Sequence, residues 1–329
     1  MELTILAVMW TAVTAYALLG GADFGAGIWD LLAGGRARGA RPRALIEHSI
    51  GPVWEANHVW LIFVLVLMWT AFPPAFAAIS STLYVPLTLV ALGVIARGAA
   101  FAFRKSIDQP WAQRLFGAAF AFSSVVTPWF LGAVAGAVAS GRVPPGLARG
   151  GAVTSWLNPV SLATGAFAVT ACAFLAASYL TLDARRAGDA GLTAYFRRRA
   201  LVSGVLVGAC SVAGLLVLHG GAPALYGRLT GRALPLVAVA VAAGLASQVL
   251  ARRGWLVALR LSAATAVAAA LWAWAAAQYP YLLLPGLTER GGAAPASTLA
   301  AVVACTAVGG ALLIPSLGWL LVLAQRQPR

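Results

Sequence analysis

Long apolar stretches alternate along the chain with short polar ones. Nine of them are long enough to cross a bilayer core, which takes about 20 helical residues: 3–24, 53–72, 75–99, 115–139, 157–181, 201–218, 233–250, 255–277 and 298–324. Only Phe72-Pro73-Pro74 separates the second from the third. One helix over 53–99 would far exceed the membrane, and the proline pair interrupts it, so the pattern predicts two helices joined by a tight turn. The expected fold is an all-α polytopic membrane protein, with residues 1–329 forming a single integral membrane domain. Composition agrees: 61% of residues are hydrophobic and 10% charged, with a mean hydropathy of +0.86.

Charge then orients the helices. With nine spans the connecting segments alternate between sides. Sixteen Lys and Arg fall on the side of Arg36–Arg43, Arg104–Arg114, Arg185–Arg199, Arg252–Arg253 and the C-terminal tail, against five on the other. Excess cations mark the cytoplasmic face, which places the N-terminus outside and the C-terminus in the cytoplasm of a multi-pass plasma-membrane protein. The net charge of +14 therefore belongs to a basic rim suited to anionic lipid headgroups. A nucleic-acid site would require a soluble basic surface with interleaved aromatics, and none is expected. Met1-Glu2-Leu3-Thr4 lacks a basic leader region, so the first stretch reads as a retained helix.

The chemistry is concentrated between Gly20 and Arg104. Charges in hydrocarbon are costly and mark function, yet Asp23, Glu55, His58 and Arg97 sit in or at the edge of apolar stretches. Gly20-Gly21-Ala22-Asp23-Phe24-Gly25-Ala26-Gly27 is expected to close the first helix, and Ile50-Gly51-Pro52-Val53-Trp54-Glu55-Ala56-Asn57-His58-Val59-Trp60 to open the second. Glu55 and His58, three apart, share a helix face with Trp54 close by, while Asn57 and Trp60 lie to the side. A carboxylate balanced between desolvation and the cation Arg97 can bind and release a proton. The same trio could equally be a static ion pair that fixes helix register.

Other chemistries fare worse. Cys172, Cys210 and Cys305 sit singly in different helices, as packing residues do. A haem needs axial ligands at membrane depth. His48 reads as interfacial and His219 as part of an outer loop, which leaves His58 alone and a bis-His site as a remote alternative. Phosphate-binding glycine loops, Ser-His-Asp triads and HExxH motifs are missing from the sequence. The four-residue glycine spacings Gly21/Gly25, Gly132/Gly136 and Gly204/Gly208 instead allow close helix approach.

The residues Gly21, Asp23, Gly25 and Gly27, the run Ser49 to Ile62, Ala71-Phe72-Pro73, Leu83-Tyr84-Val85-Pro86 and Ile95 to Arg104 together resemble the second subunit of the cytochrome bd family of respiratory terminal oxidases. Leu157-Asn158-Pro159 and Tyr279-Pro280-Tyr281 extend the match, which is most specific over the first hundred residues. The resemblance implies two four-helix bundles plus a peripheral helix, in a heterodimer with a sister subunit. That subunit would carry haems b and d and the quinol site. This chain would hold no haem and no metal, contribute no catalytic residue, and form a proton path with Asp23 and Glu55. Arg97 would be the charge partner, Trp54, Asn57 and His58 would surround the path, and a quinone or lipid tail could lie by Trp54. A small accessory subunit and membrane lipids are further partners to expect, and quinol would be the complex's substrate.

Glu55 stands where many members of that family have aspartate, Ala56 replaces glycine, His58 replaces a residue often Gln or Glu, and Ala102 occupies an often acidic place. The route's entrance could then use Asp108 or water. The electron donor, quinol or a cytochrome c, stays open, as do a secondary transporter with an intramembrane carboxylate and an inert scaffold subunit.

Overall fold

The computed structural model describes residues 1–50, 54–103 and 109–326. Gly51, Pro52, Val53, Arg104, Lys105, Asp108 and Arg329 lie outside the described residues. The elements in chain order are α1 (Glu2–Leu31), α2 (Arg36–Ile50), α3 (Trp54–Ala71), α4 (Pro73–Thr82), α5 (Tyr84–Phe103), α6 (Pro110–Ala139), α7 (Pro159–Arg186), α8 (Ala190–Gly221), α9 (Pro223–Thr230), α10 (Leu234–Arg253), α11 (Leu256–Gln278), β1 (Tyr281–Leu283), β2 (Leu287–Thr288) and α12 (Ala296–Arg326). Local sequence explains many of the ends. Proline occupies the first turn of α4, α6, α7, α9 and α10, where its missing N–H costs nothing. Asn158 and Asp189 cap α7 and α8 by accepting from the amides of Ser161 and Leu192. At the far end of α10, Gly254 supplies the left-handed φ of 76° that terminates it.

Among the described residues seven helices are long and apolar enough to cross a membrane, or eight if the bent pair α3–α4 is one span. The second and third expected spans are rearranged. α3 and α4 meet at a bend of 118°, and α4 ends at Thr82, so the stretch 75–99 divides at Leu83 into α4 and α5. Pro86 near the start of α5 lacks an amide for Thr82, which is consistent with a break there. The bend is filled by protein, since Ala71 and Phe72 are fully buried and the Ala71 carbonyl accepts from the Ala294 amide at 2.9 Å. Two further expectations are corrected. The Gly20–Gly27 run does not close its helix, because α1 continues to Leu31; and His219 belongs to the last turn of α8, its ring 4.9 Å from that of Tyr226, not to a loop.

Packing gives the two groups and the outlier. α1 lies against α3, α6 and α7, and α5 against α6; α7 joins α8 and α11, which holds α10. α12 touches only α3 and α1 among the stronger contacts, with Leu299 its one buried side chain among those described. Glycine makes the α1–α7 contact possible: a Cβ on Gly25 would fall 1.9 Å from the Cys172 carbonyl oxygen. Gly132 works the same way against Thr164 of α7, whereas Gly208 faces open space and is no contact point.

One end of the bundle, where α1 and α7 finish, is basic and is tied by cations. Arg43 pairs with Asp30 at 2.7 Å and also reaches the Gly34 carbonyl, and Arg41 pairs with Asp189 at 2.6 Å. Arg260 bonds Asp183 and stacks on Tyr179, and Arg199 lies 3.4 Å from the Tyr195 ring centre. The Arg43 and Arg41 bonds tie α2 to the end of α1 and to the start of α8, a segment the hydropathy pattern marks only as a loop.

Candidate functional site

The interior of the first helix group contains a small polar cluster. Four helices contribute to it because each carries its polar residue on the face that its apolar neighbours bury. Asp23 of α1 is 8% exposed and Arg97 of α5 only 1%. Arg97 donates through Nη2 to the main-chain oxygen of Asp23 at 2.6 Å, and through Nη1 to the Ser124 hydroxyl on α6. Its guanidinium carbon lies 4.9 Å from the Phe24 ring centre and 4.4 Å from that of Phe120. A buried cation needs such compensation, and hydrogen bonds plus two aromatic faces supply it. The Asp23 carboxylate in turn accepts from Asn57 Nδ2 of α3.

Of the residues singled out by sequence, Asp23, Asn57 and Arg97 are thus brought together. The contact between Asp23 and Arg97 runs through the peptide oxygen, so the carboxylate keeps its acceptor capacity for Asn57 and any proton. His58 is adjacent, its ring 6.1 Å from Tyr16 and 6.2 Å from Phe24. Trp54 is the first residue of α3. Glu55 is not in the cluster. It is exposed on α3, on the opposite side from the buried Asn57.

Ser124 and the aromatic pair Phe24 and Phe120 were missed by sequence reasoning. A serine or phenylalanine in an apolar helix carries no signal by itself, and only the depth match to Arg97 could have marked them. Gly27 belongs here too, since a Cβ on it would come within 2.0 Å of the Ser124 hydroxyl and 3.0 Å of Arg97 Nη1. Among the described residues no three His, Cys, Asp or Glu side chains converge as a metal site would need. The chemistry left is that of a buried carboxyl group, which can exchange a proton, beside a guanidinium whose charge is fixed.

Comparison with known proteins gives this cluster a setting. The chain is 31% identical over 129 residues to cytochrome bd ubiquinol oxidase subunit 2 of Bacillus subtilis, covering 38% of this chain and 37% of that protein. It is 28% identical over 228 residues to cytochrome bd-I ubiquinol oxidase subunit 2 of Escherichia coli, covering 66% of this chain and 58% of that protein. The aligned stretches thus span less than two thirds of either relative. A chain in the solved structure of bd oxidase from Geobacillus thermodenitrificans shares the fold, with a TM-score of 0.73 at 24% identity over 99% of both chains. The sequence model of the cytochrome bd terminal oxidase subunit II family matches residues 1–324, and the chain belongs to that family.

Proposed function

We propose that this chain is the haem-free second subunit of a cytochrome bd-type complex that oxidises quinol and reduces oxygen to water. It is an oxidoreductase subunit whose redox cofactors, haems b and d, reside in a partner subunit. Family membership supports the complex, and the relatives named as ubiquinol oxidase subunits support the reaction. The excess of cations at one end of the bundle supports a cytoplasmic C-terminus and an external N-terminus. The chain's own contribution is a proton path, and the observation that carries it is the buried Asp23 carboxylate held by Asn57 beside Arg97. A carboxyl kept at membrane depth at a cost of several kcal/mol fits a proton-handling role better than a packing one.

Glu55 completes the route from outside the cluster. It opens a stripe along α3 that continues through Val59, Ile62, Val66 and Trp69, all exposed in the single chain. These positions repeat every three to four residues, as a helix seam does. α5 carries a similar stripe at Tyr84, Thr88, Ala91 and Ile95. We take these seams as the face that meets the haem-carrying subunit, with Glu55 at its basic-end edge.

The experiment is oxygen consumption per haem in membranes containing the complex. Glu55→Gln and Asp23→Asn, which cannot ionise, are expected to lower turnover by roughly tenfold or more with haem content unchanged, while Glu55→Asp stays near wild type. Unaltered turnover in both amide variants would reduce the chain to a scaffold. That second reading draws on the bond from Arg97 to a main-chain oxygen, which is a purely structural clamp. A transporter would place polar groups at a helix break, whereas here the α3–α4 bend is packed with Ala71 and Phe72.

A further inference from the structure

Seven residues before Asp23, on the same face of α1, lies Tyr16. Two helical turns separate them, about 10 Å along the axis. Tyr16 stands near the midpoint of α1, fourteen residues from Glu2 and fifteen from Leu31. It is 9% exposed, and its hydroxyl oxygen is enclosed with no hydrogen-bond partner among the described residues. The ring is held firmly. Gly20 leaves the space it fills, since a Cβ there would fall 2.8 Å from Tyr16 Cε2, and the rings of Phe24 and His58 flank it at 6.4 and 6.1 Å.

A buried hydroxyl without a partner is costly, and phenylalanine would fill this space without that cost. Because the oxygen is enclosed, a residue of another subunit cannot reach it without opening the bundle. The missing partner is therefore a small molecule that enters the interior, and at a hydroxyl next to an imidazole and two turns from a carboxylate that molecule is water. Tyrosine both donates and accepts, so one water on each side makes it a through-connection.

We propose that Tyr16 is a proton-relay residue, its hydroxyl binding internal water and extending the route from Asp23 two turns deeper into the membrane. The phenol oxygen takes a proton from the water on the Asp23 side as it releases its own to the water beyond, so the ring is unchanged after each transfer. His58, against the same ring, lines this segment. The inference rests on the proton-path reading of Asp23.

The test is Tyr16→Phe in the native two-subunit complex, measured as oxygen consumption per haem across pH and in heavy water. Phenylalanine preserves the packing, and normalisation to haem confines the reading to assembled complex. Turnover is expected to fall by roughly tenfold or more, with a loss that grows as pH rises and a larger solvent isotope effect, because proton delivery becomes limiting. Wild-type turnover and isotope effect in Tyr16→Phe, alongside impaired Asp23→Asn, would overturn the relay at Tyr16 and leave the path itself standing. Wild-type behaviour in both variants would remove the path and this inference together. A loss in Tyr16→Phe that is the same at every pH, with an unchanged isotope effect, would also overturn the proposal, since a packing defect gives that result.

Discussion

Glu55 and Asn57 stand two residues apart on α3 and point to opposite sides, because two helical steps rotate a side chain through about 200°. The choice of which one faces Asp23 is therefore exclusive, and it falls to Asn57. Sequence made Asp23 and Arg97 conspicuous, since a charge among apolar residues needs a reason. It ranked Asn57 below Glu55, because an amide carries no charge to attract notice while its hydrogen-bonding reach is the better match to a buried carboxylate. Tyr16 was passed over although its place seven residues from Asp23 on one helix was readable; aromatic residues are common in membrane helices and the empty hydroxyl is visible only in three dimensions. Gly27 offers a sharper test of how tightly the cluster is built. Gly27→Ala drives a methyl group into Ser124 and against Arg97, and overpacking of this kind costs about 1–3 kcal/mol. Thermal unfolding of the purified complex is expected to move to lower temperature, and an unchanged midpoint would show that α6 yields easily at this point.

Helices were legible where apolar residues run without interruption, and misjudged where glycine and charge enter them. The Gly20–Gly27 run looks like a terminator because glycine is a poor helix former in water. In a membrane the backbone has no other donor or acceptor, so the helix persists, and the missing side chains serve contact with α7. α2 was hidden for the converse reason: its arginines read as loop, but bonds from Arg43 to Asp30 and from Arg41 to Asp189 hold it in place. Asp189 also caps α8, and its carboxyl is held below the usual aspartate range first by the Leu192 amide and then by Arg41. A lowered value means that the ionised form supports the fold above the ordinary aspartate pKa of about 3.9, with the support lost as pH falls through the lowered value. Asp189→Asn keeps the capping oxygen and removes the charge. The gap in unfolding midpoint between wild type and this variant is expected to be constant from about pH 5 to 8 and to close as the pH falls through the lowered value; a gap that persists in acid would assign the effect to the cap alone.

Across the molecule, the division into two helix groups and a peripheral α12 follows from order along the chain, while the outward seams on α3 and α5 do not show in hydropathy, because lipid-facing and partner-facing residues are equally apolar. Size separates them. Ile62→Trp puts a bulky ring into the α3 seam, where a packed interface cannot absorb it, and is expected to reduce co-purification of the haem-carrying subunit. Leu216→Trp, on an exposed part of α8, is expected to leave it intact because lipid adapts. Equal recovery in the two variants would move the interface elsewhere. The bonds of Arg97 carry one more consequence, in the order of manufacture. Its partner in α1 leaves the ribosome 74 residues earlier, and its partner in α6 follows 27 residues later. At synthesis rates of about 5–20 residues per second, the guanidinium reaches the membrane roughly 1–5 s ahead of Ser124. α1 must already be in place to receive it, so the first helix acts during biogenesis as the docking post on which the rest of the group is assembled.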